Sequence, residues 1–417
     1  MGILLAVDYD QKQFEEISED DKGIVSGIIF KLAKSQPENF IKQLSWTLSD
    51  NPDDLFIDDD AKGPGACFHS RIWMESWSKT LGKCEKKSIR FATGRIGGQT
   101  IVAIPLMIVP GTFVTRIEFA GQTVSDYNVP VVHKHLEPHL SQELFDAIIQ
   151  QIAHMFPNAD CVDFRKVFLE HAASKKEVTL WQEDPERTHH CGLTGDWDHD
   201  LSQFIGKSTS KKLRKKLRKL ETFGTVTFED VMEPTRRRYA GDKLIQWKAR
   251  QLKDLGAASV YENTGFCNFL KATICNDDSG MVRLFSMNIN NEPIALIYAL
   301  CLEDYWFLYQ MSYTAEEPGK YSPGYHLLLN VMERACRQNV KTFDFGWGNE
   351  PYKRRFATQS KSLYNVFRPL TLKGQIAFQL CNSKRVVKNL VKSSQHLQSA
   401  AKFALRTIGK LQAKQSV

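Results

Sequence analysis

The sequence predicts an α/β protein with a mixed sheet, built from two similar units in tandem, and three observations carry that prediction. Between Met281 and Phe356 the apolar period switches from 2 to 3.6 and back to 2, as strands around one helix require. A second set of strand patterns lies between Ser88 and Ala120, followed by another helix and strand. The chain has 417 residues, 42% of them hydrophobic and 25% charged, which is enough apolar material for a large core and two units.

The later unit is the more legible. Met281–Ile289, Ile294–Leu302 and Tyr305–Tyr313 read as strands joined by the turn formers Asn290-Asn291-Glu292-Pro293 and by Glu303-Asp304, so they form an antiparallel meander. Strict alternation in the third strand places Tyr305, Phe307, Tyr309, Met311 and Tyr313 on one face. From Gly324 a helical stripe of Leu328, Val331, Met332 and Ala335 takes over, with Ser322-Pro323-Gly324 marking the boundary. The exposed N–H groups and dipole of that helix start are suited to an anion. Lys341–Phe345 returns as a strand and delivers Gly346-Trp347-Gly348-Asn349-Glu350-Pro351-Tyr352-Lys353.

The order of three antiparallel strands, loop, helix and strand resembles the core of the GNAT acyltransferases. The S-P-G before the helix and F-D-F-x-x-G-x-E-P-Y-K after it resemble the branch of the CelD cellulose-biosynthesis proteins, related to the Fem aminoacyltransferases. The resemblance covers roughly residues 65–370. The usual GNAT pyrophosphate signature is absent, and Gly324 alone stands at that turn.

The resemblance implies two tandem GNAT-like units with helical N- and C-terminal extensions: an acidic extension over 1–64, units at 65–205 and 206–370, and a basic helical tail over 371–417. It implies acyl-CoA as co-substrate, its pantetheine along Tyr305–Tyr313 and its pyrophosphate near Ser322, Gly324, Tyr325 and His326. Acyl transfer to an amine also needs a base and help for the leaving thiolate. Glu350 is the preferred base, Tyr352 can return a proton, and Lys353 can stabilise charge or simply pair with Glu350. Asp344 is a further catalytic candidate, but its place between Phe343 and Phe345 also suits a buried structural role. His326 is equally readable as a surface helix residue.

The earlier unit repeats the pattern: a helix from Phe68 to Thr80, strands at Ser88–Thr93, Thr100–Val109 and Thr112–Ala120, a helix at Gln142–Met155 and a strand at Cys161–Phe164. In place of the Ser-Pro-Gly loop it carries Gly121 to Tyr127. In the resembled family a Ser-Asp-Tyr follows this strand, which puts Ser125, Asp126 and Tyr127 on the acceptor side of a groove between the units; an Asx turn at Asp126 is the plainer alternative.

Residues 207–224 carry eight Lys/Arg on a helix whose stripe is Leu213, Leu217, Leu220 and Phe223, capped by Ser208 or Ser210. A basic helix suits nucleic acid, a membrane surface, phosphate or plain solvent. Thr235–Leu255 follows as a helix with Leu244, Trp247, Leu252 and Leu255 towards the core. His189, His190, Cys191 and His199 lack the spacing of a zinc site, and no metal is expected.

Charge is uneven: residues 1–60 hold 14 acids against 5 Lys/Arg, while 371–417 hold 9 Lys/Arg and no acid. A helix near Ile24–Leu32 is expected in the first stretch. In the tail, stripes including Val386, Val387 and Leu390 suit packing on the core or peripheral contact with an anionic membrane. Nine cysteines without Cys-x-x-Cys spacing suit reduced thiols, and no signal peptide or spanning run is evident, so a cytoplasmic location is expected.

The leading expectation is an acyltransferase acting on an amino or hydroxyl group of a sugar or cell-envelope precursor, with no DNA partner. A Fem-like, tRNA-dependent transfer, suggested by the basic helix and the missing signature, is the second. A non-catalytic polyanion-binding scaffold is the third.

Overall fold

Every strand among the described residues lies in one sheet that reads nearly the same from either end. The structure is a computed structural model describing residues 37–55, 64–83, 89–133, 136–137, 140–169, 180–256 and 259–380. The expected helix near Ile24–Leu32 and the stripes from Val386 onward lie outside the described residues. The strands are β1 (Ser45–Ser49), β2 (Ile89–Ile96), β3 (Gln99–Pro110), β4 (Thr115–Phe119), β5 (Val131–Val132), β6 (Cys161–Val167), β7 (Leu180–Gly192), β8 (Val226–Asp230), β9 (Val282–Ile289), β10 (Glu292–Cys301), β11 (Tyr305–Tyr313), β12 (Thr342–Trp347) and β13 (Gln359–Pro369). Their order is β1-β2-β3-β4-β6-β13-β7-β12-β11-β10-β9-β8, with β5 paired on β3.

Two parallel pairs, β4 with β6 and β11 with β12, sit symmetrically about the centre, and the other named pairs are antiparallel. At the centre the units exchange strands: β7, which follows the first unit's parallel pair, lies against β12, and β13, which follows the second's, lies against β6. The strand patterns foreseen in both units are present. β7 and β13 were not foreseen; β7 contains Pro185 and charged residues and has no clean alternation.

The helices are α1 (Pro37–Gln43), α2 (Pro64–Phe68), α3 (Arg71–Trp77), α4 (Gln142–Met155), α5 (Trp197–Phe204), α6 (Lys207–Glu221), α7 (Pro234–Asp254), α8 (Thr264–Cys275), α9 (Pro323–Arg337) and α10 (Pro351–Phe356). One core joins Trp73 and Trp77 of α3, Leu244 of α7 and Phe269 of α8 to strand residues of both units, among them Phe91, Met107, Leu284 and Leu296. That shared core binds the two units together. On the other face, Leu220 of α6 and Leu328, Val331 and Met332 of α9 pack on Phe285, Leu308 and Phe343. Phe40 of α1 and Leu144 and Ile148 of α4 cover the first unit's strands.

Two local expectations are corrected. The N-cap of α6 is Gly206 with no side-chain cap, so neither Ser208 nor Ser210 serves. Leu255 is 79% exposed, because it follows the last turn of α7. Residues 372–380 are helical, with Leu372, Ile376 and Leu380 exposed.

Candidate functional site

The site begins where two parallel strands part. β11 and β12 pair at Tyr305 with Thr342, Trp306 with Phe343 and Phe307 with Asp344, and no further. Beyond Phe307 the strands diverge, and a bulge lies where Ala299 opposes Leu308 but Tyr298 opposes Gln310, leaving Tyr309 without a partner. The bulge overturns the single face predicted for Tyr305 to Tyr313. Tyr305, Phe307 and Tyr309 join the core beneath α3 and α8, whereas Met311 packs with α9, and both Met311 and Tyr313 lie against Gly324.

A cavity of about 450 Å³ opens at this fork. Its walls include Leu308, Met311 and Phe345 from one core and Val124 and Phe266 from the other, so it passes between the two layers. The polar groups on its wall are supplied by both units. Thr123, Asp126 and Lys166 come from the first, and Lys248, Gln310, Glu350, Tyr352 and Lys353 from the second. In the first unit the matching fork between β4 and β6 is stitched shut. The Asn128 amide donates to the Arg165 carbonyl at 2.8 Å, and the Arg165 N–H donates to Gln122 Oε1 at 3.2 Å.

Of the expected acceptor residues, Asp126 alone lines the cavity. Its carboxylate accepts the Trp347 N–H at 3.3 Å, so it bridges the units instead of capping its own loop. Burial raises its pKa, against the opposing pull of Lys166 and Lys353. Ser125 is buried and accepts the Trp73 indole N–H at 3.2 Å. Tyr127 is fully buried, and its hydroxyl donates to both oxygens of Asp344 at 2.9 Å.

Asp344 is likewise removed from the cavity. It is 3% exposed and also accepts the Tyr305 hydroxyl at 2.5 Å and the Gly346 N–H at 2.7 Å. The reason is its register: it pairs with Phe307 and His190 inside the fork's closed end, so its carboxylate meets tyrosines and not the opening. Asp344 therefore has the buried structural place that its flanking phenylalanines suit and not the catalytic one, and the expectation that Tyr127 faces the groove is corrected.

After Asp344 the chain turns through Gly346 at φ +76° and Gly348 at φ +125°. A Cβ at Gly346 would stand 2.8 Å from Asp126 Oδ2, and one at Gly348 would stand 2.5 Å from Glu350 Oε2. Both backbones favour glycine, and at Gly346 the Phe307 ring, 2.9 Å from the Cβ position, leaves no room for a side chain as well. The turn brings Glu350, Tyr352 and Lys353 to the cavity. Lys353 Nζ is nearly buried, 3.0 Å from Glu350 Oε2, and donates to the Trp347 carbonyl at 2.5 Å. The Glu350 side chain is 55% exposed and its ion pair with Lys353 is present. Tyr352 is half-buried, and burial pushes its phenol pKa well up.

The expected phosphate loop is built, with changes. Ser322 caps α9 in the left-handed region at φ 60°, and its hydroxyl receives a hydrogen bond from Lys216 of α6 at 2.7 Å. A lysine at an open helix N-terminus reinforces its preference for an anion. Gly324 sits at the first turn, and the Tyr325 ring lies 5.9 Å from Phe356 with the Arg355 guanidinium above it. His326 departs from both readings: it is 8% exposed, its Nε2 has no partner, and burial lowers its pKa to about 4. It is a neutral packing residue.

Sequence reasoning missed Lys166 and Lys248. Lys166, next to last in β6, has φ 54°, its ammonium donating to the Ser125 carbonyl and lying 5.3 Å from the centre of the Trp347 ring. The left-handed backbone of a lysine has no sequence signal. His189 and His190 bond to Ser360 Oγ at 2.8 Å and Gln359 Oε1 at 3.1 Å. Among the described residues no group of three His, Cys, Asp or Glu side chains could hold a metal ion. No described helix is long and apolar enough to cross a membrane.

Residues 207–354, which include the fork, match the family described as acetyltransferase (GNAT) domain, and the mixed sheet has the GNAT fold. Two solved structures share the fold. FemX is 13% identical with a TM-score of 0.56, covering 81% of this chain and 99% of its own. A conserved protein of unknown function from Bacteroides thetaiotaomicron VPI-5482 is 12% identical with a TM-score of 0.50, covering 78% of this chain and 100% of its own. No curated protein matches the chain.

Proposed function

We propose that the protein transfers an acyl group from acyl-CoA to an amino or hydroxyl group of a sugar or cell-envelope precursor. The observation that carries the reading is the fork: β11 and β12 part at a bulge, and the opening leads to a cavity shared by both units. The donor's phosphates lie at the start of α9 beside Lys216, and its thioester reaches the cavity along β11. The substrate class comes from the family resemblance.

For an amine acceptor, nitrogen attacks the thioester carbonyl and the carbon–sulfur bond breaks. The ammonium proton formed on attack passes to Asp126, the thiolate takes a proton from Tyr352, and the proton on Asp126 returns to the Tyr352 phenolate through solvent. Asp126 replaces Glu350 as the preferred base. A half-buried carboxylate whose pKa desolvation raises is the better proton acceptor near neutrality, while Glu350 is exposed and engaged with Lys353. Tyr352, its pKa raised by burial, stays protonated and able to donate. A main-chain amide at the bulge receives the developing oxyanion.

The test is CoA release from acetyl-CoA in the presence of a panel of amino sugars, hydroxylated sugars and charged tRNA. Turnover with a sugar acceptor that falls ~10²-fold or more in Asp126→Asn supports the reading, as expected for loss of a general base. Turnover with charged tRNA alone, and none with acetyl-CoA, would overturn it.

A further inference from the structure

Resting on that reading, we propose that Lys248 and Lys166 form a two-sided cationic clamp for an acidic group of the acceptor, so that the transferase acts on an anion bearing a carboxylate or a phosphate. The lysines belong to different units, Lys248 to α7 and Lys166 to β6, and both line the cavity.

Charge matching on the wall leaves Lys248 over. The cavity carries three lysines, Lys166, Lys248 and Lys353, against two carboxylates, Asp126 and Glu350. Lys353 is already held by Glu350 and the Trp347 carbonyl. Lys166 is anchored to the Ser125 carbonyl and lies in the field of Asp126. Lys248 makes no hydrogen bond or ion pair with another described residue. Burial lowers the Lys248 pKa, the Lys353 ammonium adds to that, and the Glu350 carboxylate only partly opposes it without an ion pair; a bound anion offsets the remaining cost.

Lys166 supports the same conclusion. A non-glycine residue at φ 54° is a strained conformation that the fold maintains, and here it aims a lysine from the first unit into a site whose forked strands belong to the second. The clamp is separate from the place assigned to the donor's phosphates, because Lys216 and Ser322 do not line this cavity. An anionic acceptor and the donor's phosphates then have separate cationic seats.

The experiment is a thermal-shift titration of the full chain with inorganic phosphate and with acetate, at constant ionic strength, without CoA and with saturating CoA. Wild type is compared with Lys248→Met, Lys248→Arg, Lys166→Met and Lys216→Met. The expected result is a saturable shift from one of the anions that survives saturating CoA and persists in Lys216→Met and Lys248→Arg. Its apparent affinity falls at least tenfold in Lys248→Met and Lys166→Met. Tighter binding of phosphate assigns a phosphorylated acceptor, and tighter binding of acetate a carboxylated one. No saturable shift, an equal shift in Lys248→Met, or a shift lost in Lys216→Met would each overturn the clamp. The CoA arm keeps the readings apart: without a CoA shift the donor assignment fails, while a CoA shift with no anion shift sinks the clamp alone.

Discussion

Asp126 is the residue whose chemistry depends most directly on its surroundings. It lies in an ordinary loop in the sequence, yet desolvation between the units raises its pKa, while the Trp347 N–H that it accepts and the nearby Lys166 and Lys353 pull the other way. The base must be ionised to accept a proton, so activity rises with pH through that elevated value. The kcat/KM profile of the wild type is predicted to have an acid limb above the usual carboxylate range of ~4, and Asp126→Asn to lack it. Tyr352→Phe is predicted to lower kcat roughly 10²-fold, the usual size for a lost general acid, with CoA affinity unchanged by calorimetry. Asp344 gives a stability prediction. Its folded pKa is raised by burial, so the stability it contributes is present at low pH and lost as pH rises through that value. The Tyr127 hydroxyl favours its ionised form, and Tyr127→Phe should cost ~1–3 kcal/mol in a denaturant melt, more above the raised Asp344 pKa than below it. The motif Asp344 to Lys353 could be read from the sequence, and Glu350, Tyr352 and Lys353 do reach one cavity. Which further carboxylate joins them could not, because that depends on a contact across 221 residues.

At the scale of elements, the turn after β12 shapes the site. Gly346 lets the chain bend at φ +76° while Asp126 approaches its Cα. Gly346→Ala should therefore cost ~1–2 kcal/mol for the left-handed backbone and displace Asp126. Activity should fall much further than stability, measured by turnover alongside a melt; equal small losses in both would argue against this placement. Helices α4, α6, α7 and α9 were legible because their stripes and stop signals are local. The bulge in β11 was not, since one unpaired residue leaves the composition of the strand unchanged while moving Met311 and Tyr313 to the other layer.

In the whole molecule the two units are interlocked. β13 completes the first unit and β7 the second, and one core spans both. Thermal unfolding is predicted to show one calorimetric transition, and a fragment of residues 206–370 to be insoluble, since it lacks β7 and exposes the edge of β12. Two well-separated transitions would contradict the interlocking. The tandem organisation was readable from the repeated strand patterns. The exchange was invisible because β7 and β13 are strands by pairing and not by pattern: His189 and His190 look like metal ligands until Gln359 and Ser360 are seen beside them.

The central claim is that acyl-CoA binds at the fork with its phosphates beside Lys216, and titration calorimetry of acetyl-CoA on wild type and Lys216→Met tests it most directly. The account predicts one saturable site in the wild type, weakened about tenfold in Lys216→Met, as loss of a charge-assisted contact worth ~1.5 kcal/mol requires. No binding by the wild type, or equal binding by the two proteins, would contradict it.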